Sequence, residues 1–101
     1  MKVAFLPPAA AELMDAVAFY NQQSEGLGFQ FAVEVQRTID RIAEFPEAWP
    51  VLSERTRRCR MRRFPYGLIY HVRDETLLIV AVMHLHRHPD VWRDRLPSAD
   101  T

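Results

Sequence analysis

The run Leu77-Leu-Ile-Val-Ala-Val-Met83 is apolar at all seven of its positions. A segment of that length is strand-sized, and with no polar side it must be covered on both faces. It therefore predicts the central strand of a sheet with material packed above and below. The flanking residues agree: Asp74-Glu75 reads as a tight polar turn before the strand, and His84 closes it. The chain has 101 residues, of which 49% are hydrophobic and 26% charged. That suffices for one core, so a single domain over 1–101 is expected.

The period of the apolar residues changes along the chain. Val3 to Leu6 reads as a short strand ended by Pro7 and Pro8, which lack the N–H that a ladder needs and suit the first turn of a helix. A helix is expected from about Ala9, with Leu13, Ala16, Val17 and Tyr20 on one face. Glu12 and Asp15 sit where a helix dipole favours acids. Ser24-Glu25-Gly26 should end it. A second helix is expected from about Leu27 to Phe45, where Leu27, Phe31, Val35, Ile39, Ile42 and Phe45 form one stripe and Glu34, Gln36, Arg37, Asp40 and Arg41 fall largely elsewhere. Pro46 and Pro50 stop it. Glu47 to Glu54 is then a connector whose Trp49 packs on the domain.

From Arg57 the period is two. Cys59 and Met61 alternate with Arg58, Arg60 and Arg62, so the arginines should share one face of a strand and the apolar groups the other. Phe64-Pro-Tyr-Gly67 has turn chemistry, Leu68 to Val72 returns as a strand, and Leu77 to His84 completes an antiparallel meander. The expected fold is α+β: an N-terminal strand and an antiparallel helical hairpin packed on a small, mainly antiparallel sheet. A short helical tail is expected around Val91 to Leu96.

Charge is polarised although the formal total is zero. Residues 1–50 carry 3 Lys/Arg and 7 Asp/Glu, and residues 51–101 carry 10 and 6. Arg55 to Arg63 alone contains six arginines in nine positions. Such a half suits an acidic partner or a polyanion. A lone cysteine, Cys59, excludes an internal disulfide, the N-terminus lacks the apolar run of a secretory signal, and no stretch approaches the roughly 20 apolar residues of a membrane helix. A cytoplasmic setting without membrane contact is expected.

Two segments carry a family resemblance. Arg62-Arg-Phe-Pro-Tyr-Gly-Leu-Ile-Tyr70, the apolar strand, and Ala81-Val-Met-His-Leu-His-Arg-His-Pro-Asp-Val-Trp-Arg93 resemble the C-terminal half of the RelE/ParE superfamily of toxin–antitoxin toxins. Phe19-Tyr-Asn, Gly26-Leu-Gly-Phe29 and Ile42-Ala-Glu-Phe-Pro46 resemble its N-terminal half. The resemblance implies a growth inhibitor held in a hetero-oligomer by a cognate antitoxin. Two branches divide the superfamily: RelE-like members cleave mRNA on the ribosome, and ParE-like members inhibit DNA gyrase.

Metal-free RNA cleavage needs a proton acceptor, a proton donor and cationic stabilisation of the phosphate. Arg87, His84 and Arg60 are the candidates, and Arg87 matches the arginine found there in RelE-like enzymes. Two other RelE-like residues have no counterpart: Gly67 follows Tyr66 where that pattern has arginine, and Trp92 and Arg93 stand where it has a C-terminal tyrosine. His84 or His86 would have to substitute. Phe64 to Val72 is closer to ParE-like chains, so the gyrase branch is favoured over the mRNA branch, with a non-toxic interaction module as a third reading. Neither toxin branch calls for a cofactor. Arg58, Arg60, Arg62, Arg63, Arg87 and Trp92 are the candidate partner contacts. His84 and His86 lack a nearby third metal ligand in sequence, His88 follows a change of direction, Tyr66 and Tyr70 read as core, and Cys59 reads as structural.

Overall fold

In a computed structural model, residues 1–87 and 90–97 are described, and His88 falls outside them. The elements are β1 (Lys2–Phe5), α1 (Pro7–Gln23), α2 (Leu27–Glu44), β2 (Arg57–Arg60), β3 (Tyr66–Arg73) and β4 (Thr76–His84). The sheet order is β1-β4-β3-β2, with β1 parallel to β4 and the other pairs antiparallel. The apolar strand is therefore internal, as its composition requires. Among the described residues no helix is long and apolar enough to cross a membrane.

Helix α1 starts two residues before Ala9, because Pro7 and Pro8 occupy its first turn and Leu6 before them is extended. Glu12 consequently lies beyond the first turn, and the helix dipole does not explain it. The hairpin bends at Gly26, whose φ of 84° suits glycine. Asn21 Oδ1 accepts the Gly28 N–H at 2.8 Å, and a Cβ on Gly28 would stand 2.2 Å from the Val17 carbonyl oxygen. That close approach sets the spacing of the two helices. Helix α2 ends at Glu44, so Phe45 leaves the expected stripe and is 59% exposed.

Phe31, Val35, Ile39 and Ile42 pack against Cys59, Leu68, Tyr70, Leu77, Ile79 and Val82 on the helical face of the sheet. Ile69, Val80, Ala81 and Trp92 form a second cluster on the opposite face. A bulge creates this division. Ile69 faces Ala81 but Tyr70 faces Ile79, so Val80 is an extra residue on β4, and Val80 and Ala81 both join the second cluster. Trp92 closes that face from above and is only 4% exposed. The segment that carries it is a series of turns, with i→i+3 bonds from Arg93 to Asp90 and from Arg95 to Trp92 at 3.1 Å each, and not the expected helix. So short a segment gains little from helix formation and more from seating Trp92 and Leu96 on the sheet.

Glu34 departs most from its expected place. Its spacing puts it off the apolar stripe of α2 among the polar residues, yet it is 3% exposed. Its Oε2 accepts the N–H groups of Arg62 and Arg63 at 2.9 and 2.8 Å, which fixes the loop between β2 and β3. The strand thus ends at Arg60, and Arg62 belongs to the loop and not to a continuous arginine face. Tyr66 and Gly67, read as turn residues, begin β3.

Tyr70 is buried, and its hydroxyl donates to the Pro46 carbonyl oxygen, tying the connector after α2 to the sheet. Half-buried Trp49 packs on the helical-face core beneath the Arg41 guanidinium.

Two measurements follow from these buried polar groups. Glu34→Ala leaves two loop N–H groups without their carboxylate, which should cost about 3 kcal/mol. For a chain of this size that lowers Tm by roughly 15 °C; a calorimetric shift under a third of that would refute the clamp. Burial pushes the Tyr70 phenol up to about 12 from 10.0, so the folded state holds its proton longer than the unfolded chain. Stability should therefore decline as pH rises from 10 towards 12, and Tyr70→Phe should remove that part of the decline in denaturant titrations.

Candidate functional site

The residues implicated by sequence meet where β4 ends. Tyr66 stands opposite His84 in the β3–β4 register, and their rings contact edge to face at 5.2 Å. His86 lies beyond the strand, but its ring is 5.7 Å from that of His84 and its backbone N–H donates to His84 Nδ1 at 3.2 Å. That bond fixes Nδ1 as an acceptor and places the proton of neutral His84 on Nε2. Burial lowers the His84 pKa from 6.5, and the charges of Arg87 and His86 lower it further. His84 is thus neutral at physiological pH.

Behind this pair is an aromatic cluster contributed by both layers. Tyr20 of α1 stacks on Phe31 of α2 at 5.3 Å, and Phe64 packs edge to face on Tyr20 at 4.8 Å and on Phe31 at 5.2 Å. Tyr66 meets Phe31 at 4.9 Å. Phe64 has a φ of 72°, a left-handed conformation that costs a large side chain energy. It is held there by Glu34 binding the loop on one side and by this ring packing on the other. Burial raises the phenols of both Tyr20 and Tyr66, partly offset by Arg87. Both remain protonated and can donate hydrogen bonds.

A cleft of about 490 Å³ opens beside the cluster, with Glu12, Asp15 and Phe19 of α1 on one wall and Tyr66, His84 and Arg87 on the other. It exists because β1 is short. β1 pairs only with Thr76 to Ile79, leaving the rest of β4 without a strand on that side. Side chains take over there: Glu12 Oε1 accepts the Val82 N–H at 3.0 Å, and Arg95 donates to the Val80 carbonyl oxygen at 3.0 Å. Arg95 also grips both Glu12 oxygens at 2.8 Å, a bidentate pair that joins the tail to α1.

The arginines are dispersed. Arg87 is exposed at the rim of the cleft beside His84, whereas Arg60 lines neither this cleft nor the pocket on the opposite face of the sheet. The Arg60 carbonyl oxygen instead receives the Arg41 guanidinium at 3.2 Å. Arg58 is half-buried on the face opposite the helices, and its stem crosses Gly67. Arg63 reaches Gln30 Oε1 at 3.0 Å and covers the Phe64 ring at 5.3 Å. Arg62 is exposed in the loop. Trp92 packs the tail onto the sheet, with the Arg93 guanidinium over its ring at 4.7 Å. Cys59 is fully buried and burial pushes its thiol up, so it is not a ready thiolate.

Residues 3–89 match the family described as the ParE toxin of the type II toxin–antitoxin system, parDE. The chain belongs to the ParE toxin family. Its fold agrees: a chain of the chromosomal ParDE toxin–antitoxin system from P. aeruginosa superimposes with a TM-score of 0.74 at 13% identity, covering 85% of this chain and 97% of that one. No curated protein matches the sequence. Membership in a toxin–antitoxin family makes this chain a toxin component and implies a cognate antitoxin as its partner. The sheet-edge pair Glu12–Arg95 and the buried Glu34 had no signal in sequence, since each is brought to its partner by the tertiary fold over a long separation.

The electrostatics of His84 can be tested by NMR titration of the histidine rings. Its midpoint should lie below 6.5, and Arg87→Gln should raise it without restoring the ordinary value, because burial is the larger cause. A midpoint at or above 6.5 in the parent, or no movement in the variant, contradicts this picture.

Proposed function

We propose that this ParE-family toxin arrests growth by binding DNA gyrase in the cytoplasm, acting as one domain and without cutting RNA. The observation that carries this reading is the match of residues 3–89 to the ParE toxin family, and the groups beside Arg87 are in keeping with it. His84 is neutral and already accepts a hydrogen bond at Nδ1, the nearby phenols hold their protons, and Arg60 lies elsewhere. The opposite wall carries Asp15, whose charge repels a phosphate backbone, and Glu12, whose charge is offset by Arg95. Tyr66 is followed by Gly67, whose missing side chain leaves room for the Arg58 stem. Ring packing joins Tyr20, Phe31, Phe64 and Tyr66 into one cluster, and the His86 N–H occupies His84 Nδ1 beside it.

The antitoxin is expected to neutralise the toxin by laying an extended or helical segment across sheet and helices. Arg58, Arg60, Arg62, Arg63 and Arg87 are the contacts proposed for partners. Trp92 serves them indirectly by holding the tail in place.

Controlled expression in a bacterial host separates the readings. Growth arrest with blocked gyrase supercoiling and intact transcripts is the expected result. Ribosome-dependent mRNA cuts that disappear in Arg87→Ala would replace it with the nuclease reading, and normal growth would remove toxicity altogether.

A further inference from the structure

We propose that the small pocket between Arg58 and Arg87, on the face of the sheet opposite the helices, receives a single carboxylate side chain of the antitoxin. The inference rests on the reading of the chain as an antitoxin-neutralised toxin. Its physical basis is one buried, unpartnered N–H of a half-buried arginine. Arg58 Nε is buried and has no hydrogen-bond partner among the described residues. An N–H removed from water without an acceptor is unfavourable, and an arriving anion that reaches it relieves the cost.

The side chain is also preorganised. A Cβ on Gly67 would lie 3.2 Å from both Arg58 Cγ and Cδ and 3.3 Å from Leu85 Cδ2, so the absent side chain of Gly67 forms the seat for the arginine stem. Holding the stem in this way limits the rotamers that binding must freeze. The planar fork of arginine is suited to a carboxylate, which it can bind through two parallel hydrogen bonds.

The lining supplies charge of the right sign. Arg58, Arg87 and Arg93 border the pocket, and Asp90 is the one carboxylate among its described lining residues. Asp90 is already bound to Arg93 Nε at 2.7 Å. Arg58 and Arg87 are thus left facing a cavity whose acid is engaged elsewhere.

Size and shape favour a protein side chain over a nucleotide. The cavity measures about 170 Å³, room for one anionic group and not for a base with its sugar. Trp92, which would be the natural stacking platform, is 4% exposed and lies under the Arg93 guanidinium. Its other walls include Ile69 and Met83, which suit the methylenes of a glutamate or the flank of an aspartate.

The test uses the full-length toxin and the full-length antitoxin encoded beside it. Binding is measured for Arg58→Gln and Arg58→Lys, each checked for retained Tm. Every Asp and Glu of the antitoxin is replaced in turn by its amide. Arg58→Gln should weaken binding by about tenfold or more, with Arg58→Lys intermediate because it keeps charge but loses the fork. One acidic antitoxin position should produce a similar loss that does not add to that of Arg58→Gln. In parallel, the Arg58 Nε–H resonance of the free toxin should shift with acetate beyond its response to chloride at equal ionic strength.

Normal antitoxin binding by Arg58→Gln, or a loss coupled to no acidic position, overturns the proposal while leaving the toxin–antitoxin reading intact. If Arg58→Gln does not fold, Arg58→Lys and the antitoxin scan give the same decision. A resonance that responds to an oligoribonucleotide but not to antitoxin assigns the pocket to nucleic acid and overturns it too. Failure of any antitoxin to bind removes the broader reading and the protein source of the carboxylate, whereas the acetate response still reports whether the pocket takes an anion.

Discussion

A buried carboxylate on α2 holds the two layers in the relation on which the rest of the molecule depends. Glu34 accepts two consecutive backbone N–H groups from the loop between β2 and β3. A carboxylate buried to this extent is tolerable only when hydrogen-bonded, and loop N–H groups are satisfied only when something supplies an acceptor. Each therefore answers the need of the other. The clamp holds Phe64 in its left-handed conformation and directs its ring into Tyr20 and Phe31, so the aromatic cluster is continuous from α1 through α2 to β3.

Strand β4 organises the opposite side of the same problem. It is apolar along its length, but simple alternation would send every second residue to each face. The extra residue Val80 breaks that register and puts Val80 and Ala81 together under Trp92. The strand then outruns β1, and Glu12 with Arg95 completes the unpaired edge by side-chain hydrogen bonds. An uncovered edge is a template for pairing with other chains, and an ion pair laid along it restrains that tendency. The tail is consequently joined to sheet and helix at two points, Trp92 and Arg95.

These constraints explain the character of the site better than its residue types do. Histidine, tyrosine and arginine gathered at one strand end invite a catalytic interpretation. Here Nδ1 of His84 is occupied, the phenols' pKa values are raised by burial, and the arginines are spread over the loop, the face opposite the helices and the rim. On the face opposite the helices, the buried Nε of Arg58 has no acceptor among the described residues.

Period and punctuation in the sequence were enough to locate both helices, the meander and the internal position of β4. Such features depend on neighbours within a few residues: the stripe of Phe31, Val35, Ile39 and Ile42, the prolines at 7 and 8, and the uninterrupted run from Leu77. The family resemblance was carried by the same short segments. Sequence did not disclose that Glu34 is buried, that Glu12 serves β4 and not its own helix, or that Arg62 leaves the strand at which Arg60 ends. Polar side chains of this kind look solvated in sequence, and their partners lie 28 to 83 residues away. Whether a charge faces water, closes an edge or waits for a partner is decided only when the tertiary fold sets its distance to the other groups.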